Sequence, residues 1–106
     1  MTTVMLTERE LTLIRATLER FPDVSAAILY GSRAKGTAKP TSDIDLALEG
    51  IAKGNRTETI AFELEELPMI AKFDVQALAG ITHAPLLEHI ERVGVRIYER
   101  TSPSGT

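Results

Sequence analysis

The chain has 106 residues, 12 Lys and Arg against 15 Asp and Glu, a formal charge of −3, and neither Cys nor Trp. One domain fits that length, and folding would bury roughly 65% of the surface the unfolded chain exposes, enough for a core without disulfides or a structural metal. The missing Cys excludes a disulfide scaffold, a Cys-based zinc site and a thiol nucleophile and favours a reducing, cytoplasmic setting, while the acidic balance argues against a main affinity for a nucleic-acid backbone.

The chain opens on Met1 to Leu6, which lacks the basic start and apolar run of a signal peptide, and no later stretch approaches the about 18 apolar residues of a membrane span. Thr7 and Glu10 then form an S/T-x-x-E capping box, with Leu6 and Leu11 at the positions of a hydrophobic staple. A helix is expected from Glu8 to Arg20, its buried stripe made by Leu11, Ile14, Leu18 and Phe21, and Pro22-Asp23 stops it. Ala26 to Tyr30 is a continuous apolar run ending at Gly31, which suits a strand covered on both sides or central in a sheet.

Beyond Ser42, Ile44, Leu46 and Leu48 alternate with Asp43, Asp45, Ala47 and Glu49, predicting a strand with one oily face. Gly50 to Asn55 is a turn region, and Arg56 to Leu67 reads as a helix with Ile60, Leu64 and Leu67 inward. Phe73 to Leu78 is a third alternating strand. Pro85 to Val93 is a short helix closed by Gly94, and Val95 to Glu99 a last strand. Thr101 to Thr106 reads as a flexible tail after a domain spanning 1–100. The result is a small mixed α/β (α+β) domain, a mixed β-sheet with helices on one face. If Ile44, Leu46, Leu48, Phe73, Val75 and Ala77 face those helices, Asp43, Asp45 and Asp74 share the opposite, open face.

Two segments suggest chemistry. In Gly31-Ser32-Arg33-Ala34-Lys35-Gly36-Thr37, the glycine permits a tight turn and close approach of a ligand. A phosphate there would meet helix-start N–H groups, the Ser32 hydroxyl and the charge of Arg33 or Lys35. A plain strand-to-helix turn with solvated basic residues is the competing reading. A P-loop is rejected, because Thr37 and Ala38 stand where Lys and Ser/Thr should follow the second glycine. Asp43-Ile44-Asp45 places two carboxylates on one side of a strand, roughly 7 Å apart at Cβ, suited to a hard cation such as Mg²⁺, or else simply solvated acids. An EF-hand fails, since Ala47 and Leu48 occupy positions that need Asp/Asn and Gly. Tyr30 reads as a strand residue, and His83 and His89 as solvated or partly packed, their spacing matching no common metal motif.

The combination is more specific than its parts. Gly31-Ser32 after an apolar strand, ten residues, Asp43-Ile44-Asp45, then Asp74 in Lys72-Phe-Asp-Val75 resembles the nucleotidyltransferase superfamily of the DNA polymerase β type. The chain looks most like the minimal nucleotidyltransferases (MNT, MntA-like antitoxins) that accompany HEPN-domain proteins in prokaryotic toxin–antitoxin pairs. The resemblance implies a nucleotidyltransferase fold and two Mg²⁺ ions held by Asp43, Asp45 and Asp74, with Asp74 helping to activate the acceptor hydroxyl. It also implies ATP as substrate, its phosphates held by Gly31, Ser32 and Arg33, with Lys35 nearby. The partner it implies is a HEPN ribonuclease toxin, neutralised in a hetero-oligomer by transfer of AMP to a tyrosine, with no direct nucleic-acid or membrane contact. Because superfamily enzymes generally add an acceptor-gripping domain, the acceptor is expected to come from that partner. Two alternatives stay open: an antitoxin that acts by binding alone, and a subunit of a small-molecule nucleotidyltransferase.

Overall fold

The capping chemistry at Thr7 forms as its sequence suggests. The Glu10 N–H donates to Thr7 Oγ1 at 3.0 Å and the Thr7 N–H to Glu10 Oε1 at 2.9 Å. Helix α1 runs Glu8–Glu19 from this cap. The structure, a computed structural model, describes residues 5–39, 41–51 and 55–100. After α1 come β1 (Ala26–Tyr30), the single-turn helix α2 (Ser32–Lys35), β2 (Ile44–Glu49), α3 (Asn55–Glu65), β3 (Phe73–Ala77), a 3₁₀ turn at Leu78–Gly80, α4 (Ala84–Val93) and β4 (Val95–Glu99). Helix α3 stops short of the expected Leu67 because the Glu66 and Leu67 N–H groups reach back three residues, to Glu63 O at 3.3 Å and Leu64 O at 3.1 Å. That tighter pattern ends the α-helical ladder. Half of the expected turn ahead of α3 and the whole expected tail lie outside the described residues.

The four strands lie in the order β3-β2-β1-β4, with β1 antiparallel to β2 and β4, and β2 parallel to β3. A parallel pair needs a crossover, and α3 supplies it between β2 and β3. One face of the sheet carries the main core. Ile14 and Leu18 of α1, Ile60 and Leu64 of α3, and Leu29, Ile44, Leu46 and Leu48 of the sheet are all at 0% exposure. Burying each such side chain contributes about 1.5–3 kcal/mol relative to leaving it in water. Phe73, Val75 and Ala77 pack against the same cluster, as the alternation of β3 predicts.

Two arginines tie α1 to the far end of the chain. Arg15 Nε donates to Ile97 O at 2.6 Å, and Arg100 donates to Glu19 O at 3.0 Å while its own N–H meets Ser25 O at 2.8 Å. Arg100 thereby supplies a cation and a donor to the carbonyl end of α1, where neither is present within the helix's last turn.

The mixed α/β class is as expected, but the helices do not keep to one face. Tyr30, Ala47, Ile81 and Ile90 form a second buried cluster with Ile28, Leu78, Leu86 and Leu87 packed on it. Ile28, Tyr30 and Ala47 alternate with residues of the main core, so α4 lies across the opposite face. The cause is β1 itself, apolar on both sides and central in the sheet, which has to be covered twice. Gly94 permits the approach of α4. A side chain there would collide with Ile90 O and Ile28 Cγ2, although its backbone is ordinary extended chain at φ −66°.

Candidate active site

The face covered by α4 is the one on which the acidic residues stand. Parallel pairing sets Asp45 of β2 directly beside Asp74 of β3, and antiparallel pairing sets Tyr30 of β1 beside Asp45 on its other flank. Neighbouring strands lie about 4.8 Å apart, so the two carboxylates are within one strand spacing of each other at the backbone. Asp43 sits exposed just ahead of β2, two residues from Asp45, while Asp74 is exposed and Asp45 partly buried. The structure therefore brings Asp43, Asp45 and Asp74 to one end of one face.

Gly31 joins them from above. Its φ of +76° with ψ of −155° is a conformation reserved for glycine, and a Cβ there would collide with Asp45 Oδ2. The turn that opens α2 is thus folded against the Asp45 carboxylate, with Ser32 next to it and half-buried. The Ala34 and Lys35 N–H groups both bond to Gly31 O at 3.1 Å, and Gly36 closes the turn in the left-handed region. Lys35 is exposed at the end of α2.

Arg33, expected beside the phosphates, is turned inward. It is buried, at 5% exposure, and its guanidinium donates to Met5 O at 2.7 Å, to Ser42 O at 3.2 Å and to Lys39 O at 3.5 Å. A single-turn helix that places Ser32 outward turns the next side chain inward, which the residue's charge alone did not reveal.

The electrostatics of the cluster follow from this crowding. Burial first, then the neighbouring charges of Asp74 and Asp43, push the Asp45 carboxyl up to about 6. Burial, then Asp74 and Asp45, push the Tyr30 hydroxyl up to about 12, against a hydrogen bond that Gln76 Nε2 donates to it at 3.2 Å. Tyr30 also meets the ring of His89 edge to face, with centroids 6.3 Å apart. Gln76 was not singled out in the sequence, yet it lies two residues beyond Asp74 and so on the same face of β3. His83 is exposed and stands at the head of α4.

The donor set fits a hard divalent cation. Asp45, its proton affinity raised by burial and by the charges of Asp74 and Asp43, would be eased by a cation, and Mg²⁺ binds through one or two carboxylates plus waters and substrate phosphates rather than in an all-protein cage. Among the described residues, no group of three or more His, Cys, Asp or Glu is drawn together closely enough to hold a metal ion by itself. A groove of about 680 Å³, lined by Met5, Pro68, Met69 and Ile70 among others, has none of these carboxylates in its lining. Asp43 and Asp74 are exposed at the acidic site.

No curated protein matches the chain in sequence. Solved structures do match in fold. A toxin–antitoxin crystal structure with AMP-PNP aligns at TM-score 0.69 and 19% identity, covering 91% of this chain and 76% of that one. A structure of the tri-AMPylated Shewanella oneidensis HEPN toxin in complex with MNT antitoxin aligns at 0.68 and 15%, covering 90% and 74%. A putative nucleotidyltransferase from Sulfolobus solfataricus aligns at 0.54 and 22%, covering 87% and 82%. Sequence reaches further than these low identities, because the family model described as polymerase beta, nucleotidyltransferase matches residues 13–103. From the middle of α1 to beyond β4, this chain belongs to the polymerase beta nucleotidyltransferase family.

Proposed function

We propose that this protein is a nucleotidyltransferase antitoxin, transferring AMP from ATP to a tyrosine hydroxyl of a partner HEPN ribonuclease toxin and so neutralising it. The observation that carries the reading is the register that sets Asp45 beside Asp74, with Gly31 folded onto the Asp45 carboxylate. Family membership supplies the reaction class, and the MNT–HEPN complexes of the same fold supply the partner class.

In the transfer, the tyrosine oxygen bonds to the α-phosphorus, the bond from that phosphorus to the pyrophosphate oxygen breaks, and the hydroxyl proton leaves. Asp43 and Asp45 would hold the Mg²⁺ that accompanies the triphosphate, and Asp74 would join them in holding a second. Bound there, the ions would supply charge stabilisation to the entering and leaving oxygens. Asp74, exposed on the outer of the two paired strands, is the carboxylate an incoming hydroxyl reaches first, and it helps to draw off the proton. The Gly31–Ser32 turn, packed against the Asp45 carboxylate, cradles the β- and γ-phosphates with the Ser32 hydroxyl as donor, and Lys35 offers charge beside it. The protein's own contribution is placement: three carboxylates held by two strands, and a turn that brings phosphate to them.

The test is to incubate the protein with ATP labelled at the α-phosphate, Mg²⁺ and a HEPN-domain protein encoded in the adjoining reading frame. Label on a partner tyrosine is expected, falling by about 10³-fold or more in Asp43→Asn and Asp45→Asn, as loss of several kcal/mol of charge stabilisation requires. Neutralisation that survives both substitutions with no label on the partner would sink the reading in favour of binding alone. Label on a small metabolite would sink it in favour of a small-molecule enzyme.

A further inference from the structure

We infer that Arg33 is a positioning residue for the acidic site, holding the backbone that leads into Asp43 instead of contacting the triphosphate; this rests on the reading of Asp43 and Asp45 as metal ligands. Its guanidinium joins α2 to Met5 and to the turn from Lys39 to Ser42. Nη1 donates to Met5 O at 2.7 Å, Nε to Ser42 O at 3.2 Å and Nη2 to Lys39 O at 3.5 Å, while the Met5 N–H donates back to Arg33 O at 3.0 Å. Ser42 is the residue immediately before Asp43. The turn it closes is itself cross-bonded, Ser42 N–H to Lys39 O and Lys39 N–H to Ser42 Oγ, each at 2.9 Å.

Two physical points favour a brace over a ligand. A guanidinium at 5% exposure, bonded to carbonyls, would have to abandon those bonds to reach a phosphate, and Met5 O and Ser42 O would lose the donor it supplies. The planar fork of arginine is also what serves diverging acceptors at once, which a lysine ammonium on a flexible stem cannot reproduce. Through Ser42 O the fork fixes the direction in which the chain enters β2, and with it where Asp43 stands relative to Asp45. The expected consequence is weaker metal binding without loss of a phosphate contact.

The experiment compares the parent, Arg33→Lys and Asp43→Asn by Mn²⁺ titration followed by electron paramagnetic resonance, by amide hydrogen exchange at Ser42 and Asp43, and by thermal melting. Arg33→Lys, which keeps the charge, is expected to melt cooperatively, to bind Mn²⁺ about tenfold more weakly, as loss of an outer support of a metal site does, and to exchange faster at both amides. Parental Mn²⁺ affinity and exchange in Arg33→Lys overturn the inference. If the lysine variant fails to fold, the parent still decides: the Arg33 Nε–H resonance should stay protected and unmoved when Mg²⁺ and ATP are added, and a shift on adding them overturns the inference. Unchanged Mn²⁺ binding in Asp43→Asn would instead remove the metal-ligand reading, leaving the exchange data to judge the brace on their own.

Discussion

The two faces of the sheet are built from the same strands and obey opposite rules. Leu46 and Asp45 are adjacent on β2, yet Leu46 is sealed at 0% exposure beneath α1 and α3 while Asp45 faces Asp74, Tyr30 and the Gly31 turn. The first face gains stability from every apolar atom it removes from water. The second gives some back, since it holds Asp45 where burial and the neighbouring charges of Asp74 and Asp43 disfavour its ionised form. Helix α4 marks the compromise: it covers the apolar part of that face over Ile28, Tyr30 and Ala47, and the acidic end stays open. The candidate site is thus the part of that face that α4 leaves uncovered.

Substitutions on either side should break the symmetry in opposite directions. The largest effect on stability is expected for Leu46→Ala, which leaves a cavity in a filled core and should cost about 2–5 kcal/mol. Chemical denaturation would measure it, and a change below about 1 kcal/mol would mean that the face is less tightly packed than its burial indicates. Next is Gly31→Ala, which forces a side chain into a glycine-only conformation and against Asp45 Oδ2. A loss of about 1–3 kcal/mol is expected from the backbone alone, with AMP transfer suffering more than stability because the turn would be pushed off the carboxylate. Parental transfer in a variant that is merely less stable would show that the contact is incidental.

The smallest change is expected for Asp45→Asn in metal-free protein, and it carries the opposite sign. The folded carboxyl titrates near 6 against 3.8 for the unfolded chain, so the native state binds its proton more tightly and stability falls as pH rises through that interval. Asparagine escapes this penalty. In EDTA at pH 8 the variant should melt a few degrees above the parent, and the gain should fade as pH is lowered from 6 towards 4. A melting temperature below the parent's at pH 8 would mean that Asp45 contributes native contacts worth more than its charge costs.

How far the sequence reaches can be judged from three residues. Asp45 was legible because strict alternation with Ile44 and Leu46 assigns its face without knowledge of any neighbour. Its pairing with Asp74 was not, since the order β3-β2-β1-β4 and the parallel register are properties of the assembled sheet. Arg33 was visible as a charge beside a glycine turn, a context that favours a phosphate contact; its burial among the carbonyls of Met5, Lys39 and Ser42, on which the proposed brace rests, is a property of the fold. Tyr30 read correctly as a strand residue, but its place between Asp45, Gln76 and His89 depends on partners from three other elements.

The sequence by itself therefore determined what local physics decides: the Thr7–Glu10 cap, the alternating strands, the carboxylate spacing and the turn that needs glycine. Each is set by bonds and sterics within a few residues, so the order of side chains is sufficient information. Only the tertiary structure decided which face α4 covers, which carboxylates adjoin and where the Arg33 guanidinium points. Those outcomes compare the burial of one surface with the burial of another across the whole fold, and no short segment contains both sides of that comparison.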